Sequence, residues 1–407
     1  MTFLKPNLQK TYENVRKFSY DLFCQNMHEK NPVLSPLSAY LTLVMAGCGA
    51  DGTTKAEFMN VLGTDMMSLS ADMINTFSIK ETYLNLSIAN SAWIDQRFTI
   101  NETWTNTIKS LMGADTFWTE LTSYETMNNI NHWIAIQTNK LIDQMLTEPL
   151  GPKERIRIAL FNTVYFKGKW ENPFAPFNTY KDDFYLPDER KNNWFKKCSV
   201  QVDMMRDKTA ELEYVSNDFV EGVILPYLTK QKIGSRFSVF DCKNTEKEPC
   251  KKLGFIALKP KGNNSIRNIC SKLNERFIHE LLLNRKLELI DLKLPKFKSA
   301  FDVNLIESLT KIGLTECFDA NKANLSLIGK DTITGSTLYV SLVRQNAVLT
   351  VDEEGTEAAA ATELLGCLRA MIEPQKKLYF NEPFLYMIID MERELSLFIG
   401  ILDNPEA

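Results

Sequence analysis

The stretch that decides how this chain is interpreted is EEGTEAAAATELLGCLRAMIEP, residues 353–374. Its propensities predict a helix, because four consecutive alanines are followed by leucines that share one side. Every second residue from position 356 to 368 is nevertheless small or apolar. The charged residues Glu357, Glu363 and Arg369 all fall on the other set. Such a period of two is typical of a strand with one buried face and one solvated face, so helix and strand compete here.

The sequence on either side of this stretch mixes helical and strand patterns. Helix-like spacing of apolar residues dominates the first part, whereas residues 83–94 and 155–166 alternate as strands do. An amphipathic helix is predicted over residues 127–146, and two apolar strands end the chain. Strands and helices do not alternate regularly, which argues against a doubly wound parallel sheet and favours an α+β fold. No composition shift marks a domain boundary.

Composition excludes several classes of protein. Of 407 residues, 44% are hydrophobic and 24% are charged, with a formal net charge of -4 and an isoelectric point near 5.7, so no nucleic-acid partner is expected. The longest apolar runs are too short to cross a bilayer, and no transmembrane segment is predicted. The first residues lack the apolar core of a secretory signal and are interpreted as mature structure.

Enzyme motifs are weak or missing. Gly47, Gly49 and Gly52 match the dinucleotide pattern GxGxxG, but no strand–helix–strand rhythm surrounds them, and a turn between two helices is the favoured interpretation. The chain has three histidines and no GxSxG nucleophile elbow. We therefore expect neither an enzyme nor a bound cofactor.

The eight cysteines show no CxxC or cysteine–histidine pattern, which excludes an obvious metal site. Cys242 and Cys250 flank a polar stretch and would close a small loop in an oxidising compartment. Glycosylation sequons occur at Asn85, Asn101, Asn263 and Asn324.

Basic residues form a modest concentration that would suit an anionic polysaccharide, although a solvated surface is the favoured interpretation. They are Lys243, Lys247, Lys251, Lys252, Lys259, Lys261 and Arg267.

Within residues 353–374, the glutamate pair followed by Gly, Thr, Glu and a run of small residues resembles the hinge of the reactive-centre loop in the serpin family. Five further motifs of that family stand in the expected order, so the resemblance covers nearly the whole chain. They are NPVLSPLSAYLTLVMAG (31–47), LFNTVYFKGKW (160–170), LPKF (294–297), FNEPFLYMIID (380–390) and LFIGILDNP (397–405). The resemblance implies one α+β domain over residues 1–407, with three β-sheets, eight or nine helices and an exposed loop at about 353–374.

The resemblance further implies a suicide-substrate inhibitor of serine proteases. The protease would form an acyl-enzyme with the loop, and the cut loop would insert into the central sheet as an extra strand, trapping the protease covalently. Insertion needs small residues in the hinge, and this chain has an alanine run there, as inhibitory members do. The implied hinge residues are Glu353, Glu354, Gly355, Thr356, Glu357, Ala358, Ala359, Ala360, Ala361 and Thr362.

The scissile residue of the family usually lies fourteen positions after the hinge glycine, which is Arg369 here, followed by Ala370. An arginine suits a trypsin-like protease, because its guanidinium pairs bidentately with a buried carboxylate. A register shift would move the cut to Leu368 or Met371. Cys367 also flanks the bond and would make activity sensitive to oxidation if its thiol is exposed.

Supporting positions carry over in the same way. Ser35, Ser38 and Asn162 resemble the polar cluster that controls opening of the sheet, and Trp170 resembles the aromatic residue where insertion begins. Glu353 is expected to form an ion pair with Lys296. One position departs from the family pattern: Gln345 stands where many serpins have a histidine, which puts any pH-dependent opening in doubt.

Other expectations rest on the resemblance alone. A serpin that carries a ligand or acts as a chaperone without inhibiting is the alternative function. A monomer is expected. The family is mainly extracellular, whereas the absence of an evident signal is compatible with a cytoplasmic protein, so both locations stay open.

Overall fold

The structure, a computed structural model, describes residues 12–152, 155–187, 198–228, 253–262, 264–331, 335, 338–356 and 376–406. These residues contain nine α-helices. They are α1 (Glu13–Asn26), α2 (Pro36–Cys48), α3 (Gly52–Leu62), α4 (Met66–Phe77), α5 (Glu102–Met112), α6 (Tyr124–Gln137), α7 (Ile266–Cys270), α8 (Glu275–Leu283) and α9 (Ile306–Lys311). No helix among the described residues is both long enough and apolar enough to cross a membrane.

The same residues form eighteen strands. In the first half these are β1 (Val33–Leu34), β2 (Ile79–Lys80), β3 (Leu84–Asp95), β4 (Phe98–Ile100), β5 (Asp115–Thr119), β6 (Ile158–Lys169), β7 (Tyr180–Tyr185), β8 (Ser199–Ser216) and β9 (Val220–Pro226). In the second half they are β10 (Leu253–Pro260), β11 (Lys286–Pro295), β12 (Phe297–Asn304), β13 (Gly329–Asp331), β14 (Val340–Val351), β15 (Gly355–Thr356), β16 (Lys376–Tyr379), β17 (Phe384–Asp390) and β18 (Leu395–Leu402).

The strands make three sheets within the described residues. A seven-stranded sheet has the order β12-β14-β15-β6-β3-β2, with β5 paired to β3. A nine-stranded sheet has the order β1-β18-β17-β10-β9-β8-β11-β16, with β7 paired to β8, and β13 pairs with β4 alone. The predicted α+β fold with three sheets and eight or nine helices is therefore confirmed.

In the interior of the seven-stranded sheet, β6 is buried on both faces, so the predicted alternation of buried and exposed residues in this strand is wrong. On one face it packs against α2, a helix that is buried along nearly its whole length. On the other face, Phe161 of β6 belongs to a cluster with Ile130 and Ile134 of α6. The sheet is thus held between two helical layers, and any new strand must enter at its edge or between existing strands.

The helix predicted over residues 127–146 ends sooner, since α6 stops at Gln137. Asn139 and Lys140 have φ angles of 51° and 62°, a left-handed conformation that a helix cannot continue through. The predicted helix-to-helix turn is confirmed, because α2 ends at Cys48 and Gly52 begins α3 with φ at 59°.

Candidate functional site

The central feature of the site is a gap between β6 and β14 at one end of the seven-stranded sheet. The two strands pair in parallel as far as Ala347 and Val164. Beyond that point β15 enters between them, and Thr356 pairs with Val351 on one side and with Gly168 on the other. Of the two structures that compete in the sequence, the strand is found at residues 355 and 356, and residues 357–374 lie outside the described residues.

Gly355 makes the close approach that admits β15 to this gap. A Cβ atom at this position would lie 1.9 Å from the carbonyl oxygen of Gly168 and 2.8 Å from the Cα atom of Lys169. Both neighbours are backbone atoms and cannot rotate away, so only glycine fits. Gly355, the hinge glycine from which the position of the scissile residue is counted, therefore also has a packing role.

The chain leading into β15 is fixed by backbone hydrogen bonds. The N–H of Trp170 donates to the carbonyl oxygen of Glu354 at 2.8 Å, and the N–H of Phe174 donates to that of Glu353 at 2.8 Å. The indole Nε1 of Trp170 donates to the carbonyl oxygen of Asp352 at 2.9 Å. Trp170 is 2% exposed and thereby anchors the turn between β14 and β15.

Tyr227 forms the floor beneath Thr356. Its hydroxyl lies 2.7 Å from Thr356 Oγ1, and Thr356 is fully buried. The Tyr227 ring stacks on Trp170 with centroids 4.8 Å apart and an interplanar angle of 20°. Burial raises the pKa of Tyr227, so the phenol is neutral and can donate to Thr356. Thr356 thus points toward the buried core and fixes which face of the loop would be inward.

The ion pair expected at the hinge has close geometry, since Lys296 Nζ lies 2.8 Å from Glu353 Oε2. Thr179 Oγ1 donates to Glu353 Oε1 at 2.8 Å. Burial acts to raise the pKa of Glu353, but the hydrogen bonds and the charge of Lys296 outweigh it and lower the pKa below its ordinary value. The carboxylate of Glu353 is therefore ionised at neutral pH.

The pKa of Asp352 shifts in the opposite direction. Burial raises the pKa of its carboxyl group, although the N–H groups of Glu354 and Gly355 donate to Oδ1 at 3.0 and 3.1 Å. The neighbouring Glu353 also raises this pKa. The turn thus contains two adjacent carboxyl groups that respond differently to acid.

A buried polar cluster joins β6, β14 and α2 where the two strands are paired. Gln345 Nε2 donates to Asn162 Oδ1 and to the carbonyl oxygen of Ser35, both at 2.9 Å, and Gln345 Oε1 accepts from the N–H of Ser35 at 3.0 Å. Asn162 Nδ2 donates to Ser38 Oγ. All four residues are at most 1% exposed. The structure therefore brings Gln345 into contact with the cluster of Ser35, Ser38 and Asn162 that the family resemblance implies.

Sequence reasoning missed two members of the polar cluster, Asn90 and Thr42. Asn162 Nδ2 and Thr42 Oγ1 each donate to Asn90 Oδ1 at 2.7 Å. A signal was available for Asn90, which is the one polar residue among alternate positions 84, 86, 88, 90, 92 and 94 of β3. A lone amide on an apolar strand face indicates a buried hydrogen-bonding partner.

Gln345 satisfies the cluster by both donating and accepting, which a neutral amide does at any pH. Every side chain that bonds within the polar cluster is an amide or a hydroxyl. No proton is gained or lost by these groups in the physiological range. The hydrogen bonds of the cluster are thus independent of pH.

The other predicted positions lie apart from this site. Asn101 is exposed at the N-cap of α5, whereas Asn85 and Asn324 are partly buried. Each described residue of the basic concentration already has a polar partner. Lys259 pairs with Glu221, Lys261 donates to Ser216 and Asn217, and Arg267 pairs with Asp403.

Several predicted residues lie outside the described ranges. They are Glu357, Ala358, Ala359, Ala360, Ala361, Thr362, Cys367, Leu368, Arg369, Ala370 and Met371 of the loop, together with Cys242, Cys250, Asn263, Lys243, Lys247, Lys251 and Lys252. The described cysteines Cys24, Cys48, Cys198, Cys270 and Cys317 are free thiols.

A family model and the related proteins all point to the same protein family. The family model described as Serpin (serine protease inhibitor) matches residues 13–405. A serine protease inhibitor of Cyanea capillata is 31% identical over 394 residues, covering 93% of each chain. Neuroserpin of Mus musculus is 26% identical over 387 residues, covering 93% of this chain and 87% of the relative.

Among solved structures, the thermophilic serpin Tengpin in its native state superimposes with a TM-score of 0.83 at 28% identity, covering 97% of this chain and 94% of Tengpin. Tengpin in its latent state gives a TM-score of 0.76 at 27% identity, with 97% of each chain covered. The present structure is thus more similar to the native state. With the match of the family model over residues 13–405, these relatives show that the chain belongs to the serpin family.

Proposed function

We propose that this chain inhibits trypsin-like serine proteases as a suicide substrate and presents the bond between Arg369 and Ala370. The observation that carries the proposal is β15, which already begins an antiparallel strand between β6 and β14. The protease serine would attack the carbonyl carbon of Arg369 and release the amine of Ala370. Arg369 would stay bound to the protease as an ester while the freed loop lengthened β15.

The direction in which Thr356 points supports insertion. Side chains two residues apart in a strand share a face, so Ala358, Ala360 and Thr362 would follow Thr356 toward the core. None of the three is charged or bulky. Glu357 would face away from the core. The loop thus has small residues at the positions that would face α2 if the loop were inserted as a strand of the seven-stranded sheet.

The register of β15 predicts where the loop would meet the polar cluster. Thr356 lies opposite Val351, and six further residues along each strand would bring Thr362 opposite Gln345. The same step along β6 brings Thr362 opposite Asn162. The Gln345–Asn162 hydrogen bond would have to break, and the Thr362 hydroxyl could bond to either amide. The chain therefore supplies a replacement partner where its insertion breaks a buried hydrogen bond.

The choice of protease rests on Arg369 and on the count from Gly355. A guanidinium side chain favours a protease whose specificity pocket contains a carboxylate. Leu368 and Met371 are the alternatives and would attract a protease with an apolar pocket. Mass spectrometry of the peptides released by trypsin and, separately, by chymotrypsin distinguishes these bonds, because each cut gives a different N-terminus.

The central experiment is incubation with trypsin followed by denaturing electrophoresis. We expect a covalent one-to-one complex that survives denaturation, and we expect Arg369→Leu to lose it with trypsin and to gain one with chymotrypsin. Cleavage without any complex would contradict inhibition. In that case a thermal melt separates the alternatives, since a cut loop that inserts raises the melting temperature greatly and the loop of a non-inhibitory carrier does not.

A further inference from the structure

A cavity of about 360 Å³ opens beside β14 on the face of the seven-stranded sheet that α6 and its following segment cover. Leu342 and Arg344 of β14 form one wall, and Leu146, Leu150 and Ile156 contribute apolar surface. A half-apolar cleft of this size is suited to side chains or a small ligand. It lies beyond the polar cluster, on the side of that cluster remote from the gap where β15 enters.

Arg344 gives the cavity a positive charge at one end. Its guanidinium forms two bonds to Asp302 of the edge strand β12, at 2.8 and 2.5 Å, and its side chain is 27% exposed. The bonds use Nε and one terminal nitrogen. A guanidinium carries five N–H donors, so Arg344 can also donate to a second carboxylate on the side of β14 that faces β6.

The strand register connects this cavity to the loop. Continuing β15 from the Thr356–Val351 pair by seven residues places Glu363 opposite Arg344, and by nine residues places Leu365 opposite Leu342. Directly paired residues of antiparallel strands point to the same face. Leu342 packs with the α6 cluster, and Arg344 lies two residues further on the same face. Glu363 and Leu365 would therefore both point into the cavity.

We propose that this cavity receives residues 363–365 of the cut loop. The Glu363 carboxylate binds Arg344, and the Leu365 side chain packs on Leu342. Two complementarities carry the assignment, because Glu363 meets Arg344 and Leu365 meets the apolar part of the wall. Arg155 and Glu148 also line the cavity, and the strand register places Glu363 opposite Arg344. The inference rests on the proposed function, since it concerns the inserted state of the same loop.

The Glu363–Arg344 pair would form only after insertion, so it would favour the inserted state without stabilising the intact protein. Insertion competes kinetically with hydrolysis of the acyl-enzyme. The pair forms one residue beyond the Gln345–Asn162 bond that insertion must break, so it would lower the barrier to that step and favour the trapped complex. Partly exposed ion pairs change equilibria by about two- to fivefold. An effect of that size is measurable as the number of inhibitor molecules consumed per protease molecule.

The test is a double-mutant cycle with Glu363→Gln, Arg344→Gln and the combined variant. We expect each single variant to raise the inhibitor consumed per trypsin about two- to fivefold, and the combined variant to add no further loss. Glu373→Gln is the matched control in the loop, because residue 373 follows the cut and never enters the sheet. Arg276→Gln on the exposed face of α8 is the control for loss of an arginine.

The outcomes separate this inference from the proposed function. If the unmodified chain forms no complex with trypsin, the proposed function fails. If the complex forms but the effects of the two single variants add, or neither variant differs from its control, the cavity does not receive Glu363.

A second measurement does not depend on a protease. A synthetic peptide of residues 357–369, which begins where β15 of the intact protein ends, should bind to that protein more weakly when it carries Glu363→Gln. That difference should vanish in Arg344→Gln protein, and an equal loss in both proteins would overturn the assignment. Because Arg344→Gln also removes the bond to Asp302, Asp302→Asn protein is the control and should keep the difference.

Discussion

The gap where β15 enters and the polar cluster lie along the same pair of strands, yet they are built in opposite ways. At the gap, β6 and β14 are separated, and the contacts to the hinge come from aromatic rings, backbone groups and one ion pair. At the cluster the strands are in register, and Gln345 and Asn162 bond directly across them. The sheet is thus open at one end and closed by amide hydrogen bonds further along.

This difference indicates where the barrier to insertion lies. At the gap, β14 and β6 are already apart beyond the Ala347–Val164 pair, so a lengthening strand does not have to separate them. At the cluster it must first break buried hydrogen bonds, and a buried polar group left without a partner costs about 1 to 3 kcal/mol. We therefore expect changes at the gap to decide whether insertion begins, and changes at the cluster to decide how easily it continues.

The largest expected effect follows from Thr356→Arg. A guanidinium at this fully buried position would face Tyr227 without a counter-charge, so β15 could not remain in place. We expect trypsin to cleave the variant after Arg369 without being trapped, with inhibition reduced at least about tenfold. Mass spectrometry separates this cut from one at the substituted position 356. Thr310→Arg, at an exposed position of α9, is the matched control. Retained inhibition in Thr356→Arg would show that the gap does not start insertion.

A smaller effect is expected from Asn162→Ala in the polar cluster. The substitution removes one of the two acceptors of Gln345 Nε2 and the donor to Ser38 Oγ, and we expect it to lower the free energy of unfolding of the intact protein by about 1 to 3 kcal/mol. Urea unfolding measures this loss, and Asn106→Ala on the exposed surface of α5 serves as its control. An unchanged midpoint would mean that the amide bonds do not hold the sheet closed.

The smallest effect concerns pH and the ion pair at the gap. The folded-state pKa of Glu353 is lowered, so its stabilisation is present at neutral pH and is lost as the pH falls through that lowered value. Glu353→Gln should lower stability at pH 7 by less than about 1 kcal/mol, because Lys296 is 37% exposed and solvent screens the pair.

The difference in melting temperature between the protein with Glu353 and the Glu353→Gln variant should shrink as the pH falls from 7 to 3. Both proteins are compared in an Asp352→Asn background, because Glu353 contributes to the raised pKa of Asp352 and the two carboxyl groups would otherwise titrate together. Glu29→Gln, at an exposed position that follows α1, controls for the loss of one negative charge. A difference that stayed constant with pH would contradict the assignment to Glu353.

Much of the site was predictable from local sequence, for identifiable reasons. Asn162 interrupts an apolar strand face, and Gly355 stands within a recognisable hinge motif. Thr42, Thr179 and Tyr227 were missed because nothing in their own neighbourhoods distinguishes them. They matter through contacts with residues 48, 174 and 129 positions away.

The sequence by itself determined the α+β class, the family and the two faces of residues 353–374, because period-two patterns and short motifs are local properties of a chain. Only the tertiary structure decided that Thr356 faces Tyr227, that Gly355 touches the backbone of β6, and that Gln345 bonds to Asn162. Strand order and register bring together segments nearly two hundred residues apart, and a shift of one residue would exchange the two faces of every strand. That is why the position of the loop relative to Arg344 could be inferred only once the register of β15 was known.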